Sequence, residues 1–216
     1  MAYTLILGPK AYSSWSMRAW LLLRHLQVPF EELTVDLYTA GSREAVRRLG
    51  GQTGLVPVLQ DGDLTIWDTP AIFEHLHEAH PGVWPARRDR RARARSLSGE
   101  VHSSFNALRA AMPVNTRARG RIVERTAEVE ADIARVAEIW DAQAAGGGWL
   151  CGDFGGADIM FAPIATRFQT YGVTLGGTAG AYQARLLAHP LVAEWLRLGA
   201  AEPGVIAELE VGLPPA

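Results

Sequence analysis

Cysteine is the scarcest informative residue type in this sequence. The chain has one cysteine, Cys151, among 216 residues. A disulfide within the chain is therefore excluded, and so is a metal site built from several cysteines. Proteins that depend on disulfides belong to oxidising compartments, and nothing in this sequence points to one.

The sequence also lacks a large excess of charge of one sign, and it lacks long apolar runs. The net charge is -2, and the one concentrated basic run, residues 87–95, has no counterpart elsewhere. Nucleic-acid binding is therefore disfavoured, and the run is interpreted as the solvated start of a helix. No apolar stretch has the length of a membrane span, and the first residues lack the features of a secretion signal. We expect a cytoplasmic protein without membrane or nucleic-acid partners.

What the sequence does contain is an ordered series of strand and helix signals in its first part. The hydrophobic pattern and the turn residues predict the order β-α-β-α-β-β-α by residue 78. The Asp61-Gly62-Asp63 turn is typical of a hairpin, because glycine tolerates the positive φ of a tight turn. The predicted strands are Tyr3–Leu7, Phe30–Leu37, Val56–Gln60 and Leu64–Trp67, and the predicted helices start near Ser14, Ser42 and Thr69.

The second part of the chain is helical by the same criteria. Pro81, Gly82 and Pro85 make the stretch before it the best linker candidate, and strand signals almost vanish afterwards. A helix-rich segment over residues 92–112 is the first of several that suggest a bundle. The predicted organisation is an α/β domain over residues 1–79, a linker over 80–86 and an all-α domain over 87–216.

Three local motifs resemble the cytosolic glutathione S-transferase family. The Ser13–Arg18 turn resembles the Ser-Ser-Cys-Ser-x-Arg turn of zeta-class enzymes. The stretch from Leu55 to Ile72 resembles the family's Val-Pro-x-Leu, strand, Glu-Ser-x-Ala-Ile pattern, and Phe154–Ile159 resembles its Phe-Ser/Thr-x-Ala-Asp element. The resemblance is nearest to bacterial zeta-like members of the serine type. It implies a thioredoxin-like N-terminal domain followed by an all-α C-terminal domain.

The resemblance also implies a binding site for the co-substrate glutathione. Val56, ahead of a cis Pro57, would pair with the cysteinyl unit of the tripeptide. Thr69, at a helix N-terminus, would bind the γ-glutamyl carboxylate, and Asp68 would accept hydrogen bonds from the ammonium group. Taken alone, Val-Pro also fits an edge strand and Thr-Pro fits a simple helix cap.

One part of this site departs from the family pattern. The stretch before Val56 lacks the usual Asn-Pro-x-Gly-Lys/Gln sequence. The group that binds the glycyl carboxylate of glutathione is therefore left open between Gln52 and two arginines of the preceding helix, Arg43 and Arg47.

The serine turn provides the candidate catalytic hydroxyl. A thiol with a pKa of about 8.5 is mostly protonated at neutral pH, so a hydroxyl donor and a helix N-terminus would favour the thiolate. The resemblance indicates Ser14 or Ser13, with Ser14 slightly preferred, and the other serine would cap the first helix. Tyr12 is a competing hydroxyl donor. Trp15 stands where zeta enzymes carry cysteine, which excludes a cysteine nucleophile there.

The start of the helical domain provides a candidate electrophile pocket. Helical spacing over residues 92–112 would put His102, Phe105 and Arg109 near one face, and this region lines the electrophile pocket in the family. Tyr12 and Trp15 would border the same pocket.

The predicted function is that of a glutathione transferase in detoxification, in which the thiolate attacks a small, partly apolar electrophile. The alternatives are a zeta-type cis-trans isomerase similar to maleylacetoacetate isomerase, and a non-catalytic partner-binding protein of the same fold. A homodimer is implied by the resemblance. No metal is expected, because the spacing of His75, His77 and His80 does not match a zinc site.

Overall fold

The computed structural model describes residues 3–144 and 148–213. The predicted domains also include residues 1–2, 145–147 and 214–216, which lie outside this description. The first part forms a four-stranded mixed sheet with three helices. The elements are β1 Tyr3–Leu7, α1 Ser14–His25, β2 Phe30–Thr34, α2 Ser42–Arg48, β3 Val58–Asp61, β4 Leu64–Trp67 and α3 Thr69–Ala79. In the sheet order β2-β1-β3-β4, β1 and β2 are parallel and the other neighbours are antiparallel. The predicted β-α-β-α-β-β-α order is confirmed.

Helices make up the second part. They are α4 Arg88–Ser103, α5 Asn106–Ala111, α6 Ala127–Gln143, α7 Gly156–Thr170, α8 Gly177–Ala188 and α9 Pro190–Ala201. Helix α7 is the central helix, since nearly all of its residues are buried, as expected for a helix surrounded by other elements. It packs against α1, so the first domain sits directly on the bundle. Among the described residues, no helix is long and apolar enough to cross a membrane.

The helix-rich segment predicted over residues 92–112 is confirmed, but the helical spacing applied to it does not run through the whole segment. Helix α4 ends at Ser103, and α5 begins at Asn106. Phe105 between them has a left-handed backbone, with φ 62°, and its side chain is only 3% exposed. The Asp132 side chain accepts a hydrogen bond from the free amide of Leu108 in the first turn of α5. Burial of the Phe105 ring and this cap from another helix outweigh local helix propensity.

Three predicted strand boundaries also differ from the structure. Strand β2 ends at Thr34 rather than at residue 37, and β3 runs from Val58 to Asp61 rather than from residue 56 to residue 60. Val56 and Pro57 therefore precede the strand. The predicted hairpin between β3 and β4 is confirmed, with Asp61 opposite Leu64 and φ 56° at Gly62.

Candidate active site

A cleft of about 850 Å³ opens between the two domains. This volume is within the range of small-molecule sites. The first domain contributes the start of α1, the segment leading into α2, part of α2 and the loop before β3, and the second domain contributes its opposite wall. The lining residues are Tyr12, Ser13, Ser14, Trp15, Leu37, Tyr38, Thr39, Gly41, Ser42, Arg43, Glu44, Arg47, Gly54, Leu55, Val56, Arg109, Pro113, Val114, Arg167 and Leu209.

The two serines of the turn have different hydrogen bonds. Ser13 is the N-cap of α1: its Oγ accepts a bond from the Ser16 amide at 3.3 Å and donates to Ser16 Oγ at 2.7 Å. Ser14 is the first residue of the helix, and its Oγ accepts a bond from Nη2 of Arg167 at 3.3 Å. A guanidinium can only donate, so the Ser14 hydroxyl keeps its own proton for a group in the cleft.

Three arginines, Arg18, Arg109 and Arg167, form a cluster, and the last two of them line the cleft. Arg18 and Arg167 are 1% and 6% exposed, and Arg109 is half-buried. Each has an N–H group for which the described residues supply no hydrogen-bond partner, namely Nη2 of Arg18, Nε of Arg109 and Nε of Arg167. None of the three takes part in an ion pair within the described part of the chain.

The pKa values of all three guanidinium groups are lowered. Burial, with a contribution from the charge of Arg109, lowers the pKa of Arg167 to about 9. Burial and the two neighbouring guanidinium charges lower the pKa of Arg18 well below its ordinary value. Burial also lowers the pKa of Arg109, although the Asp132 carboxylate opposes this shift. The cluster is a concentrated positive charge that an anion in the cleft would stabilise.

Trp15 connects this cluster to His102. The centroid of its ring lies 4.3 Å from Cζ of Arg18 and 5.0 Å from Cζ of Arg109. Such contacts are cation–π interactions. The edge of the His102 ring contacts Trp15 at a centroid distance of 5.3 Å.

The residues predicted to bind glutathione differ in their position relative to the cleft. Val56 lines the cleft, and its bond to Pro57 is cis. Asp68, which precedes α3, has a φ of 73°, a backbone conformation that costs a non-glycine residue of order 1–3 kcal/mol and often marks functional sites. Its carboxylate is 3.0 Å from Nε2 of His102. Thr69 Oγ1 is buried, and no described residue supplies it with a hydrogen-bond partner.

Six of the predicted site residues do not line the cleft, namely Gln52, Pro57, Asp68, Thr69, His102 and Phe105. Gln52 is exposed and does not line it, whereas Arg43 and Arg47 do. Phe105 is a core residue in the break between α4 and α5, so the prediction that it lines the pocket is corrected. His102 contacts Asp68 and Trp15 and does not line the cleft.

Tyr12 lines the cleft, but its hydroxyl is engaged elsewhere. It donates to Glu210 Oε1 at 2.6 Å and accepts from Nη2 of Arg117 at 2.5 Å. Burial and the bond to Glu210 raise the pKa of Tyr12. Neither the carboxylate of Glu210 nor the guanidinium of Arg167 was indicated by the sequence motifs. The one available signal for Arg167 was an arginine within the apolar run that forms α7.

The described residues contain no group of three His, Cys, Asp or Glu side chains arranged to hold a metal ion. His75 instead contacts Asp61 at 3.0 Å, and His80 contacts the Tyr3 hydroxyl at 3.1 Å.

Comparison with known proteins gives the family. The model of the glutathione S-transferase N-terminal domain matches residues 12–79, and that of the C-terminal domain matches residues 123–198. A dichloromethane dehalogenase from Methylorubrum extorquens is 40% identical over 59 residues, which are 27% of this chain and 20% of that protein. A maleylpyruvate isomerase from Ralstonia sp is 34% identical over 122 residues, 53% of each protein. The matched regions thus span about half or less of these curated relatives.

Among solved structures, a glutathione transferase homolog from Burkholderia GL BGR1 with bound glutathione has a TM-score of 0.71 at 24% identity. The match covers 92% of this chain and 98% of that one, so the two share a fold. Matched by both domain models and sharing this fold, the chain belongs to the glutathione S-transferase family.

Proposed function

We propose that this protein is a glutathione transferase that acts on a small electrophile carrying an anionic group such as a carboxylate. The observation that carries the proposal is the cluster of Arg18, Arg109 and Arg167. Buried charges in proteins are ordinarily paired, but among the described residues no carboxylate forms an ion pair with any of these three, and Arg167 bonds directly to the candidate catalytic hydroxyl. A non-catalytic scaffold would have no use for such an arrangement.

The thiolate of glutathione is held at the start of α1. The Ser14 hydroxyl donates to the sulfur, and the N-terminus of the helix adds its positive dipole. The Arg167 guanidinium bonded to Ser14 Oγ favours negative charge at the same position. These groups lower the pKa of the thiol and leave a nucleophile ready for attack.

The rest of the tripeptide follows the first domain. The cysteinyl backbone pairs with Val56, and the γ-glutamyl end lies at Thr69 and Asp68. The position of Thr69 supports this placement, since it is the first residue of an 11-residue helix whose N-terminus attracts anions. Arg43 and Arg47, which line the cleft, bind the glycyl carboxylate.

The electrophile occupies the side of the cleft formed by the second domain. Its anionic group interacts with Arg109 and Arg167, and its apolar part contacts Pro113, Val114 and Leu209. Charge-assisted bonds to guanidinium groups fix its orientation, so that its reactive carbon faces the sulfur.

The test uses two electrophiles that differ in one charge. 4-Chloro-3-nitrobenzoate and its methyl ester both lose chloride to a thiolate, and each rate is divided by the uncatalysed rate with glutathione. We expect the parent protein to prefer the acid, and Arg167→Gln to reduce this preference by about 10- to 100-fold, the loss of one or two charge-assisted hydrogen bonds. Arg88→Gln, at an exposed arginine of α4, serves as the control. Equal preference for acid and ester in the parent would contradict the anionic-substrate proposal.

A second candidate reaction is cis-trans isomerisation. It is favoured by the same arginine cluster, which suits a conjugated dicarboxylate, and by the similarity to the Ralstonia maleylpyruvate isomerase. The thiolate would add to the conjugated double bond, the single bond formed would rotate, and elimination would release the thiolate again. Incubation with maleylpyruvate tests this candidate: conversion to the trans isomer without consumption of glutathione supports isomerisation, and a stable adduct supports transfer.

The homodimer implied by the family resemblance remains a prediction. Sedimentation equilibrium tests it directly, with an expected mass of twice 23.5 kDa.

A further inference from the structure

The turn that carries the serines is held by a carboxylate from the far end of the chain. Glu202 directly follows α9 and accepts two bonds from adjacent backbone amides, with Oε1 3.0 Å from the amide of Lys10 and Oε2 2.9 Å from that of Ala11. Bonds in which the acceptor is ionised are stronger than neutral ones. A single side chain thus fixes two consecutive peptide groups immediately before the catalytic region.

These amides belong to a compact unit that includes the serines. The amides of Tyr12 and Ser13 both donate to the carbonyl of Pro9, at 3.1 and 2.8 Å. The backbone from Pro9 to Ser13 is therefore folded on itself and continues directly into α1. A displacement at Lys10 and Ala11 is transmitted to the start of the helix, where the hydroxyl of Ser14 lies.

Helix α9 packs directly against the same turn, residues 9–13. A Cβ atom added at Gly199 would lie 2.8 Å from the backbone carbon and oxygen of Lys10. Side-chain atoms do not tolerate such a distance, so glycine permits this close approach. The turn consequently has the end of α9 on one side and Glu202 as its polar anchor.

The segment after Glu202 reinforces the anchor. Residues 202–213 are here termed the C-terminal strap, and Leu209 within it lines the cleft. Arg117 donates to the carbonyls of Glu202 and Gly204, and the same guanidinium reaches the Tyr12 hydroxyl. Within the strap, Glu202 is the residue whose side chain bonds to the backbone of the turn.

We propose that Glu202 is a positioning residue for the reaction, which fixes the distance between the Ser14 hydroxyl and the sulfur of bound glutathione. The inference rests on the proposed function. The role is geometric: a nearby carboxylate would by itself oppose thiolate formation, so the benefit comes from holding the turn. A glutamine at this position has one acceptor oxygen, and its NH₂ group would face an amide N–H. One of the two anchoring bonds is then replaced by a repulsive contact.

The test compares Glu202→Gln with Glu208→Gln. Glu208 belongs to the same strap, is exposed and has no hydrogen-bond partner among the described residues, so the two variants lose the same charge. The first readout is the pKa of the bound glutathione thiol, followed by thiolate absorbance. The second is kcat at saturating glutathione, and the third is the Kd of S-methylglutathione, which has no thiol to ionise.

For Glu202→Gln we expect a higher thiol pKa and a kcat lower by about 10- to 100-fold, the cost of a small misplacement of a catalytic group. The Kd of S-methylglutathione should stay within about twofold of the parent, since the groups that bind the peptide are not moved. Glu208→Gln should match the parent in all three. Glu202→Asp retains both acceptor oxygens on a shorter side chain and should recover part of the lost kcat.

Two negative outcomes can be distinguished. A parent protein that does not lower the thiol pKa overturns the proposed function itself. A parent that does so, together with a Glu202→Gln variant of unchanged thiol pKa and kcat, overturns the positioning role and leaves the function in place. A thermal unfolding temperature that falls without any change in these readouts would likewise assign Glu202 to stability alone.

Discussion

Replacement of Arg167 by methionine should make the protein more stable and less active. Arg167 is fully charged at neutral pH, buried in α7 and near two other guanidinium groups. In the protein without ligands this charge has no anionic partner within ion-pair distance among the described residues. Methionine is unbranched and fills irregular spaces in a core, so it removes the charge at small cost in packing.

The magnitude follows from the pKa. Burial lowers the pKa of Arg167 from 12.5 to about 9, and each unit corresponds to about 1.4 kcal/mol, so the buried charge costs on the order of 5 kcal/mol. The substitution also removes the bonds to Pro163 O and Ser14 Oγ, which contribute about 1 kcal/mol each. The expected net gain is about 1 to 3 kcal/mol, within the range found when buried charged groups are replaced by apolar residues.

Urea unfolding followed by circular dichroism measures the gain. At this chain length each kcal/mol raises the melting temperature by about 2 to 4 °C. Arg88→Met, at an exposed arginine of α4, should change stability by less than about 0.5 kcal/mol. The same Arg167→Met preparation should lose the preference for the anionic electrophile. A fall in unfolding free energy of more than about 1 kcal/mol would refute the reasoning, because it would mean that the charge is already well compensated.

Three further expectations concern stability and the thiol. Asp158→Ala should lower the unfolding free energy by about 3 to 5 kcal/mol in urea titration, because the buried carboxylate accepts bonds from two backbone amides and a tyrosine hydroxyl. Burial lowers the pKa of His25 and of His189, so the unfolded chain binds these protons more tightly and stability falls as the pH drops below about 6.5. Burial raises the pKa of Asp158 to about 6, so the effect of Asp158 on stability at falling pH has the opposite sign to that of the histidines. The test therefore compares the urea midpoints of the parent and of His25→Asn. Between about pH 7 and 5.5, His25→Asn should lose less stability than the parent. Tyr12→Phe should leave the pKa of the bound glutathione thiol unchanged and lower the unfolding free energy by about 1 to 2 kcal/mol, since the hydroxyl is engaged with Glu210; a raised thiol pKa would instead make Tyr12 the thiolate donor.

The features that could be predicted from the sequence are those that short, contiguous stretches of residues determine. The turn at Gly62 needs a positive φ and two flanking strands, and all of this information lies within a few residues. The serine turn and the Thr69-Pro70 helix start are local in the same sense. Their elements and their order along the chain therefore followed from turn chemistry and periodicity.

The features that were missed depend on contacts between distant parts of the chain. Phe105 interrupts a stretch of good helix formers because its ring is buried and Asp132 of another helix caps α5. Arg167 reaches Ser14 only because α7 packs against α1, and Glu202 reaches the turn from beyond the last long helix. No local sequence pattern indicates such partners, since their role depends on tertiary packing.

The choice between Ser13 and Ser14 as the candidate catalytic serine also depended on contacts that the sequence does not reveal. Counting along the motif could not decide between them, whereas the structure gives them different partners: Ser13 bonds to Ser16 within its own helix turn, and Ser14 bonds to Arg167 across the domain boundary. The first arrangement is that of a cap and the second that of a polarised hydroxyl at a cleft.

The pKa of glutathione's thiol when bound to the parent, to Ser14→Ala and to Ser13→Ala tests the central claim most directly. The account predicts a value about one to two units below the free value of about 8.5 in the parent, and a return close to the free value in Ser14→Ala. Ser13→Ala should retain most of the lowering and lose about 1 kcal/mol of stability, as expected for a lost helix cap. A thiol pKa that remains low in Ser14→Ala would contradict the assignment of Ser14 as the donor to the thiolate.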